Sequence, residues 1–118
     1  MSEAQTVAET PGIARELTAF QRNILTILAE EPRYGLAIKR ELETYYADDV
    51  NHGRLYPNLD NLVDMGLGEK SELDKRTNQY ALTEEGYQAL LDQLAWMFDK
   101  IIDEERAGDI ESLTRQHQ

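Results

Sequence analysis

The stretch VNHGRLYPNLDNLVDMGLGEKSELDKRTNQYAL, residues 50–82, changes its hydrophobic period halfway along. Between Leu55 and Val63 the apolar residues recur at three- and four-residue spacing, which is typical of a helix. The second half is rich in charge up to residues 75–78, and Tyr80 and Leu82 then alternate with their neighbours as in a strand. This stretch therefore predicts a compact helix followed by a short hairpin with a basic tip.

A helix followed by a basic-tipped hairpin is the layout of a winged helix. In that arrangement one helix enters a DNA groove and the hairpin loop lies on the neighbouring backbone. The predicted fold class is thus mainly α with a small β-hairpin wing, a winged helix-turn-helix followed by a long C-terminal dimerisation helix.

Two helices are predicted before this stretch. The first runs from about Arg15 to Glu30 and ends at Pro32, because proline disfavours the helical region for the residue before it. The second runs from about Gly35 to Tyr46. Its predicted inward-facing residues are Leu36, Ile38, Leu42 and Tyr45.

The third, candidate recognition helix is predicted to begin near residue 53 or 54 and to end at Met65-Gly66. Pro57 is expected in its first turn, where a missing N–H costs little, and Gly66 in a left-handed C-terminal cap. The wing strands are expected at about 68–73 and 79–82, with the tip at 74–78. Thr83 is a natural N-cap for the last long helix, about 84–105.

That last helix has more apolar surface than one small domain needs. A heptad stripe steps by four, three, four and three residues along Tyr87, Leu91, Leu94, Phe98 and Ile101. The pattern favours dimerisation through this helix, and the alternative is a helix absorbed in its own core. Trp96 lies off the stripe and is interpreted as interface or partial core. Gly108 is expected to end the helical pattern.

These segments divide the chain into four units. Residues 1–12 are expected to form a flexible N-terminal tail, 13–83 the winged-helix DNA-binding domain, 84–106 the dimerisation helix, and 107–118 a C-terminal tail or short helix. No apolar run approaches the ~18 residues needed to span a membrane, and the first residues lack the order of a signal peptide. The expected location is the cytoplasm.

The net charge of −11 is the reverse of what most DNA-binding proteins have. Between Arg33 and Tyr80 there are seven basic and nine acidic residues, so most of the acidic excess lies outside the candidate binding unit. Only four of the 12 basic residues are lysine. An acid-rich, lysine-poor surface suits a salt-loaded cytoplasm, where a screening length of about 3 Å at ~1 M salt suppresses self-repulsion. An ordinary acidic protein is the alternative interpretation.

The candidate DNA-binding residues lie on the second helix, the recognition helix and the wing. They are Lys39, Arg40, Asn51, His52, Arg54, Tyr56, Asn58, Lys70, Lys75 and Arg76. Arginine reads guanine and asparagine reads adenine, while wing-tip cations suit phosphate or minor-groove contact. The alternatives are that Asn51 only caps its helix, that Tyr56 closes the core, that His52 faces solvent and that the wing tip is a solvated turn.

Catalytic and metal chemistry find little support in these residues. The chain has no cysteine, which excludes disulfides and thiol nucleophiles, and its two histidines make a structural metal improbable. No serine, histidine and carboxylate stand at a spacing that suggests a triad, and there is no glycine-rich phosphate loop. The expectation is a protein that is not an enzyme and needs no cofactor.

Three motifs resemble those of the PadR family of transcriptional regulators. They are Tyr34-Gly35-x-x-Ile38, the run Gly53-Arg54-Leu55-Tyr56-Pro57-Asn58-Leu59-x-x-Leu62, and Tyr80-x-Leu82-Thr83-x-x-Gly86. The resemblance spans about residues 20–94 and implies a winged-helix dimer that binds promoter DNA. With the acidic, lysine-poor composition it is similar to a haloarchaeal member associated with the response to reactive oxygen species.

The acids on the reading elements suggest that cations such as potassium bridge carboxylates and DNA phosphates. Asp60, Asp64, Glu69, Glu72 and Asp74 all fall within the predicted helix and wing. Two other functions stay open: an acidic winged-helix module that docks on a protein instead of DNA, and a regulator gated by a small-molecule effector.

Overall fold

The computed structural model describes residues 16–74 and 77–116. Within these residues there are five helices and three strands. In chain order they are α1 Ala19–Glu30, β1 Arg33–Tyr34, α2 Gly35–Tyr46, α3 His52–Asp64, β2 Gly68–Asp74, β3 Thr77–Leu82, α4 Glu84–Ile101 and α5 Ala107–Arg115. The predicted tail 1–12 and the wing-tip residues Lys75 and Arg76 lie outside the described residues.

Helix α1 begins at Ala19, later than the start predicted near Arg15. Thr18 sets this boundary through a capping box with Gln21. The Thr18 hydroxyl oxygen accepts from the Gln21 N–H at 3.1 Å, and the Gln21 side-chain oxygen accepts from the Thr18 N–H at 3.0 Å. Two N–H groups that the helix leaves without partners are thereby satisfied.

Helix α2 has the predicted bounds, but only half of its predicted inward face is buried. Ile38 and Leu42 are fully buried, whereas Leu36 and Tyr45 are 47% and 72% exposed, so the prediction was wrong for the latter two. The small core covers only a narrow row of this helix, where α1 and β3 pack on it. Periodicity finds the apolar face but not how much of it the neighbours cover.

Helix α3 begins at His52, after the exposed segment 47–49. It buries Leu55, Leu59 and Leu62. Pro57 is the sixth residue of the helix, so it lies in the second turn and not in the predicted first. Its ring removes the N–H that the Gly53 carbonyl would otherwise accept from. Gly66 has φ of +79°, which confirms the predicted left-handed position after the helix.

The wing is an antiparallel hairpin that is longer than predicted, and a third strand extends its sheet. The strand order is β1-β3-β2, with Lys70 opposite Tyr80 and a bulge between Glu72 and Asp74. Strand β1 was not predicted. It has only two residues, and Arg33 pairs with Tyr80. Two residues are too few to show the alternation of apolar and polar side chains that predicts a strand.

Helix α4 begins at its predicted N-cap, Thr83, whose hydroxyl oxygen accepts from the Gly86 N–H at 3.0 Å. It ends at Ile101, before the predicted Glu105, because Ile102 is extended. Helix α5 then contains Gly108, so the predicted break at that glycine was wrong and the chain turns between 102 and 106.

One hydrophobic core joins α1, α2, α3 and the sheet. Its members are Leu17, Phe20, Ile24, Leu25, Leu28, Ile38, Leu42, Val50, Leu55, Leu59, Leu62, Leu67, Tyr80 and Ala89. Full burial of one such side chain is worth about 1.5–3 kcal/mol. Only Ala89 comes from α4, so that helix stands at the margin of the core.

A short seam fastens the end of α3 to the start of α4. The Thr83 hydroxyl donates to the Gly66 carbonyl at 2.6 Å, and the Thr83 N–H donates to the Leu67 carbonyl at 3.2 Å. The backbone of α4 meets the same carbonyl so closely that a Cβ on Gly86 would lie 2.2 Å from its oxygen. The relative placement of the two helices is therefore set by backbone contacts.

Candidate nucleic-acid interface

The exposed first turn of α3 is built around the side chain of Asn51. This residue is the N-cap, and its side-chain oxygen accepts from the Arg54 N–H at 2.9 Å. His52, Gly53 and Arg54 follow, all exposed. The structure confirms that Asn51 caps the helix, and contact of Asn51 with DNA stays a prediction. The cap uses the side-chain oxygen, and the amide nitrogen has no hydrogen bond to another described residue.

Arg54 lies over an aromatic ring. Its guanidinium carbon is 3.9 Å from the centroid of the Phe20 ring, which is itself 4% exposed. A cation this close to the face of an aromatic ring is attracted by the ring quadrupole. Helix α1 thus supports the side chain that the sequence singles out for base contact.

His52 and Tyr56 form a second pair on the same helix. Their rings stack with centroids 5.5 Å apart and planes 10° from parallel. Tyr56 is half-buried and packs against Gly35 so closely that a Cβ there would lie 2.7 Å from the tyrosine hydroxyl. The tight packing ties the start of α2 to the middle of α3.

The side chain of Asn58 is engaged inside the protein on both sides. Its oxygen accepts from the Gln21 side-chain nitrogen at 3.2 Å, and its nitrogen donates to the Arg54 carbonyl at 2.8 Å. Contact of Asn58 with DNA, predicted from its place on α3, stays a prediction.

The two cations of α2 differ in their surroundings. Lys39 pairs with Glu43 at 2.9 Å, whereas Arg40 is exposed. The Glu43 carboxylate also accepts from the Val50 N–H at 3.0 Å, and this bond, followed by the one from Lys39, lowers the pKa of Glu43. A lowered pKa stabilises the fold above the ordinary glutamate pKa, and this contribution is lost as pH falls through the lowered value.

On the wing, Lys70 is exposed on β2 beside Glu69 and Glu72, which are exposed as well. On α3, Asp60 and Asp64 are also exposed. Asp74 at the end of β2 is exposed too. Five candidate contacts (Arg40, Asn51, His52, Arg54 and Lys70) are therefore exposed on α2, α3 and the residue before α3, and on β2, and α3 and β2 also carry five exposed carboxylates.

A cleft of about 520 Å³ separates α3 from the wing. Its lining residues are Tyr34, Gly35, Leu36, Tyr56, Thr77, Asn78 and Tyr80. Burial, and then the negative charge of Asp60, raises the pKa of Tyr80, so its hydroxyl stays neutral and able to donate. The cleft offers hydroxyl and amide groups without a charged lining residue.

The face of α4 that carries the heptad stripe is exposed in the single chain. Tyr87, Leu94 and Ile101 are each close to half exposed, and Leu91 and Phe98 are exposed to 37% and 39%. Trp96, off the stripe, is 59% exposed. The alternative in which the helix is absorbed in its own core is contradicted.

The sequence did not single out three residues that contact α2 or α3: Phe20, Gln21 and Arg33. Phe20 and Gln21 were given no role in the site, although the pattern Thr18-x-x-Gln21 is a capping-box signature. Arg33 is only 18% exposed and ion-pairs with Glu30 and, at 3.6 Å, with Glu41. No sequence signal shows that this arginine is turned away from solvent.

Among the described residues, no helix is long and apolar enough to cross a membrane. The described part of the chain also contains no group of three or more histidines or carboxylates arranged to hold a metal ion.

Three packed helices, a three-stranded sheet and a hairpin that follows α3 define the winged-helix class of DNA-binding folds. Residues 24–92 match the model of the transcriptional regulator PadR-like family. The chain belongs to this family of transcriptional regulators, which agrees with the prediction that it is not an enzyme. A search of curated proteins found no match.

Solved structures give the same family. RosR of H. salinarum, from crystals grown from NaBr, is 63% identical with a TM-score of 0.85, over 88% of this chain and 96% of that one. The complex hsRosR-S4 is 60% identical with a TM-score of 0.88, over 92% and 95%. Bacillus subtilis PadR in complex with operator DNA is 26% identical with a TM-score of 0.54, over 64% and 46%.

Proposed function

We propose that this chain is a homodimeric, sequence-specific regulator of transcription that binds pseudo-palindromic promoter sites in a high-salt cytoplasm. The observation that carries the proposal is the exposed first turn of α3 with its cap, which presents Asn51, His52 and Arg54. Tyr56 of the same helix lines a cleft together with Thr77 and Asn78 of the wing. This is the end of the helix that meets base edges in helix-turn-helix proteins. The likeness to B. subtilis PadR, which binds operator DNA, supports it.

The candidate contacts divide by chemistry. Arg54 and Asn51 carry the donors and acceptors that read base edges, and His52 lies beside them. We assign Lys39, Arg40 and Lys70 to contacts with the phosphate backbone. Tyr56, which lines the cleft, is assigned to the groove or a phosphate. Lys75 and Arg76 are assigned to phosphate or minor-groove contact at the wing tip. The Asn58 side chain donates to the Arg54 carbonyl and so helps to hold that residue.

Dimerisation through α4 would put two copies of α3 on one face of the DNA. The exposed heptad stripe supports this, because monomeric proteins rarely expose a contiguous apolar surface of that kind. Two recognition helices related by a two-fold axis read half-sites about one helical turn apart. The domain division proposed for this function is 13–83 for binding and 84–106 for dimerisation.

Promoter binding is tested by a mobility-shift titration of the chain against the promoter of its own gene in molar KCl. A discrete shift that a scrambled duplex fails to compete supports the proposal. Absence of binding at every salt concentration contradicts it and favours the protein-interaction module.

We expect promoter affinity to persist or strengthen as KCl rises from low to molar concentration. Exposed Asp60, Asp64, Glu69 and Glu72 approach the phosphates, so bridging potassium ions would be taken up on binding. Proteins that bind phosphates with basic residues alone release counterions and lose roughly 10³–10⁵ in affinity between 50 and 200 mM salt. Fluorescence anisotropy across the range measures the slope. A steep ordinary loss refutes cation bridging and leaves DNA binding intact.

Arg54→Ala and Arg76→Ala are expected to affect DNA binding in different ways. Loss of Arg54 removes a base contact and should relax preference at one position by about 1–3 kcal/mol. Loss of Arg76 should weaken binding to all duplexes about equally, because a phosphate carries no sequence information. Competition with single-base variants of the site at molar KCl separates the two. If both variants bound and discriminated as wild type does, this assignment of contacts would be wrong.

We also propose a role in the response to reactive oxygen species, on the resemblance to haloarchaeal RosR. The chain has no cysteine to sense an oxidant. Met65 and Met97 are 37% and 39% exposed, and oxidation to the sulfoxide would make either side chain polar. Promoter occupancy in cells before and after peroxide treatment tests the role, and Met65→Leu and Met97→Leu variants test the sensor.

A groove of about 560 Å³ between α1 and α4 favours the effector-gated variant of this function. Arg22, Asn23 and Gln93 supply polar groups in its lining, and Leu90, Leu94, Trp96 and Met97 supply the apolar part. Titration of candidate effectors against DNA affinity tests it, and affinity that no compound changes argues for a regulator without an effector.

A further inference from the structure

We propose that Phe20 and Gln21, neighbours on α1, are positioning residues that hold Arg54 in the pose from which it reads a base. The inference rests on the proposed function in assigning Arg54 to DNA. It adds a source of sequence specificity on a helix that has none of the candidate DNA contacts.

Phe20 holds the side chain of Arg54. The guanidinium carbon lies 3.9 Å from the ring centroid. The Phe20 ring also stacks with Tyr46, with centroids 6.2 Å apart and planes 19° from parallel. The Tyr46 hydroxyl accepts from the Asn23 side chain at 2.9 Å, so the ring against which Phe20 stacks is held too. Attraction to the ring restrains the guanidinium without using its N–H donors, and those donors can bind a guanine bidentately.

Gln21 holds the backbone of the same residue through Asn58. The Gln21 side-chain nitrogen donates to Asn58 at 3.2 Å, and the Asn58 nitrogen donates to the Arg54 carbonyl at 2.8 Å. The Gln21 oxygen is occupied as well, accepting from the Thr18 N–H at 3.0 Å. Gln21 is the buried polar residue of the described core, at 9% exposure, and both ends of its amide are engaged.

Holding Arg54 at both ends affects specificity more than total affinity. A free arginine side chain loses much rotamer freedom when it forms two fixed hydrogen bonds to one base, and a side chain already stacked in place loses less. Phosphate contacts tolerate many side-chain poses, so they gain little from the same support. Loss of either support should therefore reduce discrimination between duplexes and spare binding to a scrambled duplex.

The experiment is a double-mutant cycle between Phe20→Leu and Arg54→Ala. The duplex is the tightest sequence that the wild-type dimer selects from a random pool, and discrimination is its affinity divided by that for a scrambled duplex in molar KCl. Phe20→Leu is expected to lower discrimination about fivefold or more in the wild-type background. In the Arg54→Ala background it should have no further effect, because the side chain it supports is gone.

Leu25→Val is the matched control for a change in the core. Leu25 is fully buried on α1 and takes no part in the contacts with Arg54 described above. It should leave discrimination at the wild-type value, at a temperature where thermal unfolding shows every variant to be folded.

Gln21→Met and Thr18→Ala test the hydrogen bonds that connect Gln21 to Arg54 through Asn58. This pair keeps the proposal testable if Phe20→Leu does not fold. Both substitutions break the capping box, and only Gln21→Met breaks the bond to Asn58. Gln21→Met should lower discrimination several-fold, and Thr18→Ala should leave it unchanged.

Equal losses in both backgrounds, or discrimination that neither Phe20→Leu nor Gln21→Met changes, would overturn the inference. So would an Arg54→Ala variant that discriminates as well as wild type, a result that leaves DNA binding itself standing. A wild-type chain that binds no duplex would overturn the proposed function and this inference with it.

Discussion

Replacing Gly86 with alanine is expected to destabilise the fold by about 2–3 kcal/mol, the upper part of the roughly 1–3 kcal/mol range for overfilling a packed site. The new Cβ would lie 2.2 Å from the Leu67 carbonyl oxygen and 2.7 Å from Leu82 Cδ1. The nearer atom belongs to the backbone and cannot rotate away. The gain of up to about 1 kcal/mol from exchanging glycine for alanine in a helix offsets only part of this cost.

Thermal unfolding followed by circular dichroism measures the effect. A loss of this size lowers the melting temperature of a small domain by roughly 10 °C. Gly108→Ala is the matched control, because Gly108 is also helical and a Cβ there meets nothing within 4 Å. That variant should melt at or slightly above the wild-type temperature. If the two alanine variants melted alike, the seam between α3 and α4 would be wrongly described.

Leu94→Glu is expected to convert the proposed dimer into monomers and to weaken DNA binding roughly a hundredfold or more. Leu94 is at the centre of the exposed stripe and is 48% exposed in the single chain. In a dimer the carboxylate would be buried without a partner, which costs several kcal/mol for each copy. A monomer also loses the second half-site, whose contribution acts through effective concentration.

Light scattering after size exclusion gives the mass, and anisotropy gives the affinity, both in molar KCl. Lys100→Gln is the control, since it makes the same change of net charge on the same helix away from the stripe. It should stay dimeric and bind normally. A Leu94→Glu protein that keeps the wild-type mass would show that α4 is not the dimer contact, whatever its effect on DNA.

The fold was predictable because its deciding signals are local. The helical period of residues 55–63, the glycine at 66 and the Thr83 cap each depend on neighbours within a turn, and the structure confirms all three. Features that depend on distant residues were missed. Strand β1 exists only because Arg33 pairs with Tyr80 across the chain. Tyr45 is 72% exposed although the next residue, Tyr46, stacks on Phe20 of α1.

The candidate site shows the same division. Residue type and helix position single out Arg54, and the structure leaves it exposed. That its guanidinium lies on Phe20, 34 positions earlier, depends on how α1 crosses α3, and no spacing rule predicts such a contact. The bond from Gln21 to Asn58 and the ion pair between Arg33 and Glu41 likewise join different elements of the fold.

The seam at Thr83 has a consequence for the DNA itself. The Gly66 and Leu67 carbonyls tie the last turn of α3 to the first turn of α4, so each recognition helix keeps a fixed angle to the helix proposed to join the two copies. A change of that angle would break these hydrogen bonds. One extra base pair between the half-sites rotates one of them by about a tenth of a turn relative to the other, since B-DNA has 10–10.5 base pairs per turn. For the proposed dimer, the length of the spacer between the half-sites is then expected to affect affinity as the bases themselves do.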